Sequence, residues 1–140
     1  MCAPLVSVLS TGRHTARADR LFTTARGIPQ LTETLVSSTA PAAPALRPLT
    51  RLVRTCPAIT QLATNGDLAM KVSRRTFPKV GDHTVAVRLT MTMDGARYTA
   101  DLVYVAVGRN ALRFNLVTTT PLPDAEVERI VRAGVARLGI

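Results

Sequence analysis

The chain has 140 residues and a formal net charge of +9, since 18 lysines and arginines stand against 9 acidic residues. Hydrophobic residues make up 46% and charged residues 19%, which excludes a disordered chain and predicts one domain, residues 1–140. Aromatic residues reach only 4% and Trp is absent, so the core must consist mainly of Val, Leu, Ile, Ala and Met.

The excess of positive charge is carried almost entirely by arginine, which is spread along the whole chain. It permits attraction to polyanions such as nucleic acid, anionic lipid or a phosphate-rich cell-wall polymer. No block of five like charges occurs. An Arg- and Ala-rich composition of the source genome therefore explains the net charge better than a dedicated polyanion-binding site does. No stretch approaches the roughly 18 apolar residues of a membrane span, and we expect no signal peptide at this start.

The N-terminal half predicts a mixture of strands and one helix. Residues 1–10 favour a short helix or docked segment, and residues 18–27 and 30–39 are candidate strands. A Pro/Ala connection leads into a helix over about residues 45–56, with apolar residues on one side and arginines on the other (Arg47, Arg51 and Arg54). Cys56 falls on the apolar side and should face the core. Residues 67–77 then predict another strand.

The C-terminal half predicts a three-stranded antiparallel meander. Every odd residue from Val85 to Met93 is apolar, which is typical of a half-buried strand. Asp94-Gly95 predicts a two-residue hairpin turn, because both positions of a type I′ turn need positive φ. This turn fixes a register in which Arg88 faces Asp101 on the polar side and apolar pairs line the other side: Met93–Ala96, Met91–Tyr98, Leu89–Ala100, Val87–Leu102 and Val85–Tyr104.

The second turn predicts a three-residue loop, Gly108-Arg109-Asn110, ending on an asparagine that tolerates the left-handed conformation. In that register Ala106, Tyr104 and Leu102 face Leu112, Phe114 and Leu116. A closing amphipathic helix starts at Pro123 and Asp124, with an apolar stripe through Val127, Ile130, Val131, Val135 and Leu138. We expect this helix to cover the apolar face of the meander. The predicted fold class is therefore α+β, with N-terminal strands joining the meander and helices packed on the sheet.

Sequence motifs for catalysis or metal binding are absent. There is no CxxC, HExxH, GxSxG or Gly-rich phosphate loop, and His14 and His83 lack nearby ligands. We therefore predict a protein that is not an enzyme and holds no cofactor or metal. The segment 71–79 combines four cations with Phe77, but single-strand binding usually needs several stacked aromatics, so nucleic acid is a weak prediction.

Cys2 and Cys56 are the only cysteines. Lipid attachment needs an apolar lead-in that Met1 alone does not give, and a catalytic thiol needs a positioned histidine. A disulfide between them would close a loop of about 54 residues and stabilise the fold by about 4 kcal/mol, which favours this pairing. It would imply an oxidising compartment. Two free thiols, in a cytoplasmic protein, remain the alternative.

Several stretches together resemble the PknH-type extracellular sensor domain of actinobacterial surface lipoproteins and kinase ectodomains. They are "CAPL", "TETLVSST", "LVRTCPAIT", "FPKVGDHTVAVRLTMT" and "ADLVYVAVGRNALRFNLV", with the closing helix. The resemblance implies an extracytoplasmic antiparallel sheet packed by helices, a cleft for an unidentified ligand, and a Cys2–Cys56 disulfide. The chain carries a single cysteine pair, so coupling to a kinase is not implied.

The leading hypothesis is a non-enzymatic, extracytoplasmic domain that binds a small-molecule or cell-envelope ligand. The predicted register places Arg88, Asp101, Arg113 and Asn115 together on the polar face of the meander, beside Thr90 and Thr99, which makes them the candidate ligand site. An ordinary solvated sheet face is the competing interpretation. The alternative function is a basic cytoplasmic protein that binds nucleic acid or an acidic partner.

Overall fold

The computed structural model describes residues 14–63 and 66–139. In this part of the chain there are seven strands and two helices. In chain order they are β1 (Ala16–Thr23), β2 (Gln30–Ser37), α1 (Ala43–Thr55), β3 (Ala58–Ala63), β4 (Gly66–Arg74), β5 (His83–Met93), β6 (Ala96–Val107), β7 (Asn110–Thr118) and α2 (Asp124–Ala136).

The strands form one sheet in the order β1-β2-β7-β6-β5-β4-β3, and every neighbouring pair is antiparallel. Two helices pack on this sheet and the second closes the domain, so the predicted α+β class is confirmed. The predicted N-terminal strands are also confirmed, and the helix predicted over about residues 45–56 is observed as α1 (Ala43–Thr55). Strand β3, at one edge of the sheet, was not predicted. The predicted segment 1–10 lies outside the described residues.

Each face of the sheet carries its own core. On the first, called the α1 face, Leu46, Leu49 and Val53 of α1 pack against side chains of β5 and β6 such as Val87 and Tyr104. On the second, called the α2 face, Val127 and Val131 of α2 pack against Val103, Val105 and Phe114. The central strand β6 is therefore buried from both sides, which fits its nearly continuous apolar sequence.

The predicted register between β5 and β6 is confirmed at every pair. Val85 lies opposite Tyr104, Arg88 opposite Asp101 and Met93 opposite Ala96. Asp94 and Gly95 form the turn with φ of 50° and 77°, the left-handed values that a two-residue hairpin of this type needs.

The predicted register between β6 and β7 is wrong by one residue. The turn contains two residues, Gly108 and Arg109, and Asn110 already pairs with Val107 in the sheet. Gly108 has a φ of 58°, as the first residue of a type II′ turn requires. Its carbonyl accepts a hydrogen bond from Ala42 N at 2.8 Å, just before α1, which holds the turn in place. As a result Phe114 lies opposite Val103 rather than Tyr104.

The predicted position of the closing helix is also wrong. We expected α2 to cover the face that carries Val87 and Tyr104, but α1 occupies that face and α2 lies on the opposite one. The physical reason is that Val103, Val105 and Phe114 form a second apolar surface that also needs cover. Neither α1 nor α2 is long and apolar enough to cross a membrane.

Candidate functional site

The four residues predicted as a ligand site do not share one face of the sheet. The two-residue turn shifts β7, so Arg113 pairs with Tyr104 and Asn115 with Leu102, both on the α1 face. Arg88 and Asp101 lie opposite each other on the α2 face. The expectation of a single shared face is therefore wrong, because a shift of one residue moves every side chain of a strand to the other side.

Arg88 and Asp101 belong to a buried ion cluster. Arg88 Nε donates to Asp101 Oδ1 at 2.8 Å, and Arg75 Nη1 donates to the same oxygen at 2.6 Å. The Asp101 side chain is 1% exposed. Arg88 Nη2 also donates to the Leu122 carbonyl at 3.2 Å, which ties the cluster to the segment before α2. The cluster holds β5, β6 and this segment together, and its carboxylate is already shared by two guanidinium groups.

Arg113 lies in a different polar cluster on the α1 face. Its Nη2 is 3.4 Å from Thr34 Oγ1, which itself donates to Asp19 Oδ1 at 2.7 Å. Burial raises the pKa of Tyr104 to about 12, and the nearby Arg113 opposes this rise. A hydrogen bond from Arg17 holds the pKa of Asp19 below its usual value. The strand pairing β1–β2–β7–β6 thus assembles these groups across four strands.

Other residues singled out from the sequence have separate locations. His83 Nε2 lies 3.0 Å from Thr50 Oγ1, and no group of three or more potential metal ligands occurs within residues 14–63 and 66–139. Cys56 is 2% exposed at the end of α1, so its predicted core orientation is confirmed. Its predicted partner Cys2 lies outside the described residues, and the disulfide stays a prediction.

A groove runs between the β1–β2 hairpin and the C-terminal part of α2. It holds two cavities that share Glu33 and Arg137; we call it the hairpin–helix groove. The larger cavity has a volume of about 360 Å³. The smaller has a volume of about 190 Å³. The larger one is lined by Ala18, Arg20, Glu33, Thr34, Leu35, Leu112, Gly134, Arg137 and Leu138.

Strand pairing explains how these residues meet. Ala18 lies opposite Leu35, Arg20 opposite Glu33 and Phe22 opposite Leu31, so all six point to the α2 face. Across the groove, α2 comes close to the sheet because Gly134 has no side chain to hold it away from Phe114. Every residue of β1 is exposed. The outer strand of the hairpin is therefore not covered by α2, which packs on the rest of this face.

The lining of the groove combines apolar and charged side chains. Glu33 is 14% exposed and forms an ion pair with Arg137, the residue that follows α2. The Arg137 side chain is 47% exposed. Arg20, the cross-strand neighbour of Glu33, adds a second guanidinium group at the cavity wall. The cavity lining therefore contains two cations and one carboxylate, together with Leu35, Leu112 and Leu138. An apolar pocket with a few convergent polar groups is typical of small-molecule sites.

The amino-acid sequence alone does not predict this groove. The available signal was Glu33, a carboxylate in the otherwise apolar row of Leu31 and Leu35, and Gly134 in the apolar stripe of a helix. Neither residue identifies its partner, because Glu33 and Arg137 are separated by 104 positions in the chain.

The chain matches no protein-family model, and no curated protein matches it in sequence. One solved structure that it matches is that of CalU16 from Micromonospora echinospora. The two chains are 16% identical, the match covers 91% of this chain and 85% of CalU16, and the TM-score is 0.39. A likeness at this level supports no conclusion about the function of this chain.

Proposed function

We propose that this chain is a non-enzymatic, extracytoplasmic ligand-binding domain, similar to PknH-type sensor domains, and that its ligand binds in the hairpin–helix groove. The observation that carries the proposal is the larger cavity, whose lining includes three leucines, two arginines and one carboxylate. The exported location rests on the predicted Cys2–Cys56 disulfide and on the sequence resemblance.

The lining indicates the chemical class of the ligand. Leu35, Leu112 and Leu138 provide an apolar wall that suits a hydrocarbon chain or ring. The excess guanidinium group at Arg20 favours an anionic head group, because a carboxylate or phosphate accepts charge-assisted hydrogen bonds from arginine. A small amphipathic anion therefore fits the groove better than a neutral or cationic molecule.

An NMR titration with decanoate, a small amphipathic anion, tests this assignment. We expect the methyl resonances of the three groove leucines to shift, with saturation. Ala18→Trp should fill the cavity from the exposed strand β1 and abolish the shifts. Leu21→Trp is the control, since it places the same side chain on the same strand but on the α1 face, away from the cavity.

Two results would contradict the proposal. Shifts confined to residues outside the groove would place the ligand elsewhere. Equal binding by the wild type and the Ala18→Trp variant, with both folded, would show that the cavity is not the site.

A further inference from the structure

The outer side of α1 carries an unusual concentration of positive charge. Arg47, Arg51 and Arg54 are all exposed, and their spacing of four and three residues places them in one row, about 10 Å long. We call them the α1 arginine row. The opposite side of the helix is used for packing, with Leu46, Leu49 and Val53 in the core.

The row lacks the acidic partners that the other helix has. On α2, Arg129 pairs with Glu126 and Arg132 pairs with Glu128. The sequence of α1 contains no acidic residue, and no ion pair joins the row to any side chain in the described part of the chain. Like charges at helical spacing repel one another, and an external array of anions would relieve that repulsion.

Arg74 extends the cationic surface beyond the helix. It is exposed at the end of β4, pairs with Val87 on the α1 face, and lines a cavity together with Thr50 and Val53 of α1. The surface therefore holds four guanidinium groups without a described carboxylate partner.

We propose that the α1 arginine row docks this domain on an anionic lipid surface. The row lies on a convex helix surface whose other outward residues include Pro44, Ala45 and Pro48. It offers neither the aromatic side chains that stack on bases nor the Asn and Gln side chains that read base edges, so a flat layer of lipid phosphates fits it better than nucleic acid.

The apolar side of α1 is fully committed to the core, so the helix does not insert among acyl chains. Docking is therefore electrostatic and weakens with salt. Since α1 and the hairpin–helix groove lie on opposite faces of the sheet, the docked domain turns the groove away from the lipid.

Co-sedimentation with vesicles tests the proposal. The wild type should sediment with vesicles of equal parts phosphatidylcholine and phosphatidylglycerol at low salt, and not with phosphatidylcholine alone. The triple variant Arg47→Gln, Arg51→Gln, Arg54→Gln should lose on the order of 100-fold in partitioning, at about fivefold per arginine near the surface.

The matched control removes the same amount of charge elsewhere. Lys71→Gln, Arg97→Gln and Arg26→Gln change three exposed cations away from α1 and should leave vesicle binding within about twofold. Both triple variants should melt at the wild-type temperature, because none of the six cations has an ion pair in the described residues.

Three outcomes would overturn the proposal. Equal losses in the two triple variants would show that only net charge matters. Full binding by the row variant would remove α1 from the contact. Tighter binding to duplex DNA than to vesicles at equal phosphate concentration, lost in the row variant, would make nucleic acid the partner instead.

Discussion

Arg75 Nη1 lies 2.6 Å from Asp101 Oδ1, and the two side chains are 6% and 1% exposed. Arg88 contacts the same carboxylate from the neighbouring strand at 2.8 Å. Arg75 also forms an ion pair with the exposed Asp124. Removing the buried carboxylate of such a network is costly, since the cations around it have lost most of their contact with water. The cluster therefore stabilises the contact of β5 and β6 with Arg75, the residue that follows β4.

We predict that Asp101→Ala destabilises the domain by about 3 kcal/mol, because it leaves Arg88 without its carboxylate and leaves the buried Arg75 with only the exposed Asp124. Urea unfolding followed by circular dichroism would measure this loss. Glu126→Ala is the control, since it breaks an exposed pair with Arg129 and should leave the free energy of unfolding nearly unchanged. Similar losses in the two variants would show that burial does not strengthen the Asp101 cluster.

The pairing of Arg88 with Asp101 was predictable because two independent signals agree on it. The Asp94-Gly95 turn sets the register, and the alternation of apolar and polar residues in β5 supports the same register. A slip of one residue would separate Arg88 from Asp101 and place Leu89 opposite Asp101 or Thr99. The turn sequence and the burial pattern thus specify a single register between β5 and β6.

The register of β7 was not predictable in the same way because β6 is apolar on both faces. Leu102 and Tyr104 alternate with Val103 and Val105, so Phe114 finds an apolar neighbour in either register. The choice depends on the Gly108 turn and on its hydrogen bond to Ala42, a residue distant in sequence. The register also decides the side of the sheet on which Arg113 and Asn115 lie, so the predicted ligand site depended on the one register that the sequence does not specify.

Gly134 is predicted to be essential for the packing of α2. A Cβ at this position would lie 2.6 Å from Phe114 Cζ, well inside normal contact distance. Gly134→Ala should therefore destabilise the domain by roughly 1–3 kcal/mol, although alanine favours an isolated helix by about 1 kcal/mol. Thermal or urea unfolding would measure the sign of the change.

Two further variants distinguish overpacking from helix propensity. Ala133→Gly, at the exposed neighbouring position, should cost about 1 kcal/mol from propensity alone. Phe114→Leu removes the ring that meets the new methyl group, so the double variant should lose less than the sum of the two single variants. Strict additivity would contradict the proposed contact between position 134 and Phe114.

Tyr104 should make the stability of the domain fall at high pH. Its pKa in the fold is about 12, whereas an unperturbed tyrosine titrates near pH 10. The unfolded chain therefore loses this proton first, and the stabilising effect is complete below about pH 10 and declines as the pH rises toward about 12. The loss by that pH should be about 2–3 kcal/mol.

The Tyr104→Phe variant provides the control for this pH dependence. Unfolding free energies measured from pH 9 upward should fall less steeply in the variant than in the wild type. The phenolate absorbance of the folded wild type should also show a late step that the variant lacks. Parallel pH profiles of the two proteins would show that Tyr104 is not the group responsible.

The predicted Cys2–Cys56 disulfide bears on both the stability of the domain and the cellular compartment in which the protein is found. Cys56 is 2% exposed at the junction of α1 and β3, so a bond there would attach the start of the chain to the core. Cys2→Ser should lower the unfolding free energy by about 4 kcal/mol under oxidising conditions, and the difference from the wild type should vanish with a reductant. A difference that persists in reductant would assign the loss to packing and not to a covalent bond.

Intact mass under non-reducing, thiol-alkylating conditions then decides whether the bond exists in the cell. If protein from the native host takes up no alkylating reagent and gains two hydrogens on reduction, Cys2 and Cys56 are joined by a disulfide. Because disulfides persist in oxidising compartments, that result would support export and make ligand screening at the hairpin–helix groove the next step. Two alkylated thiols would remove the main support for an extracytoplasmic domain, and salt-dependent binding to nucleic acid should then be measured first.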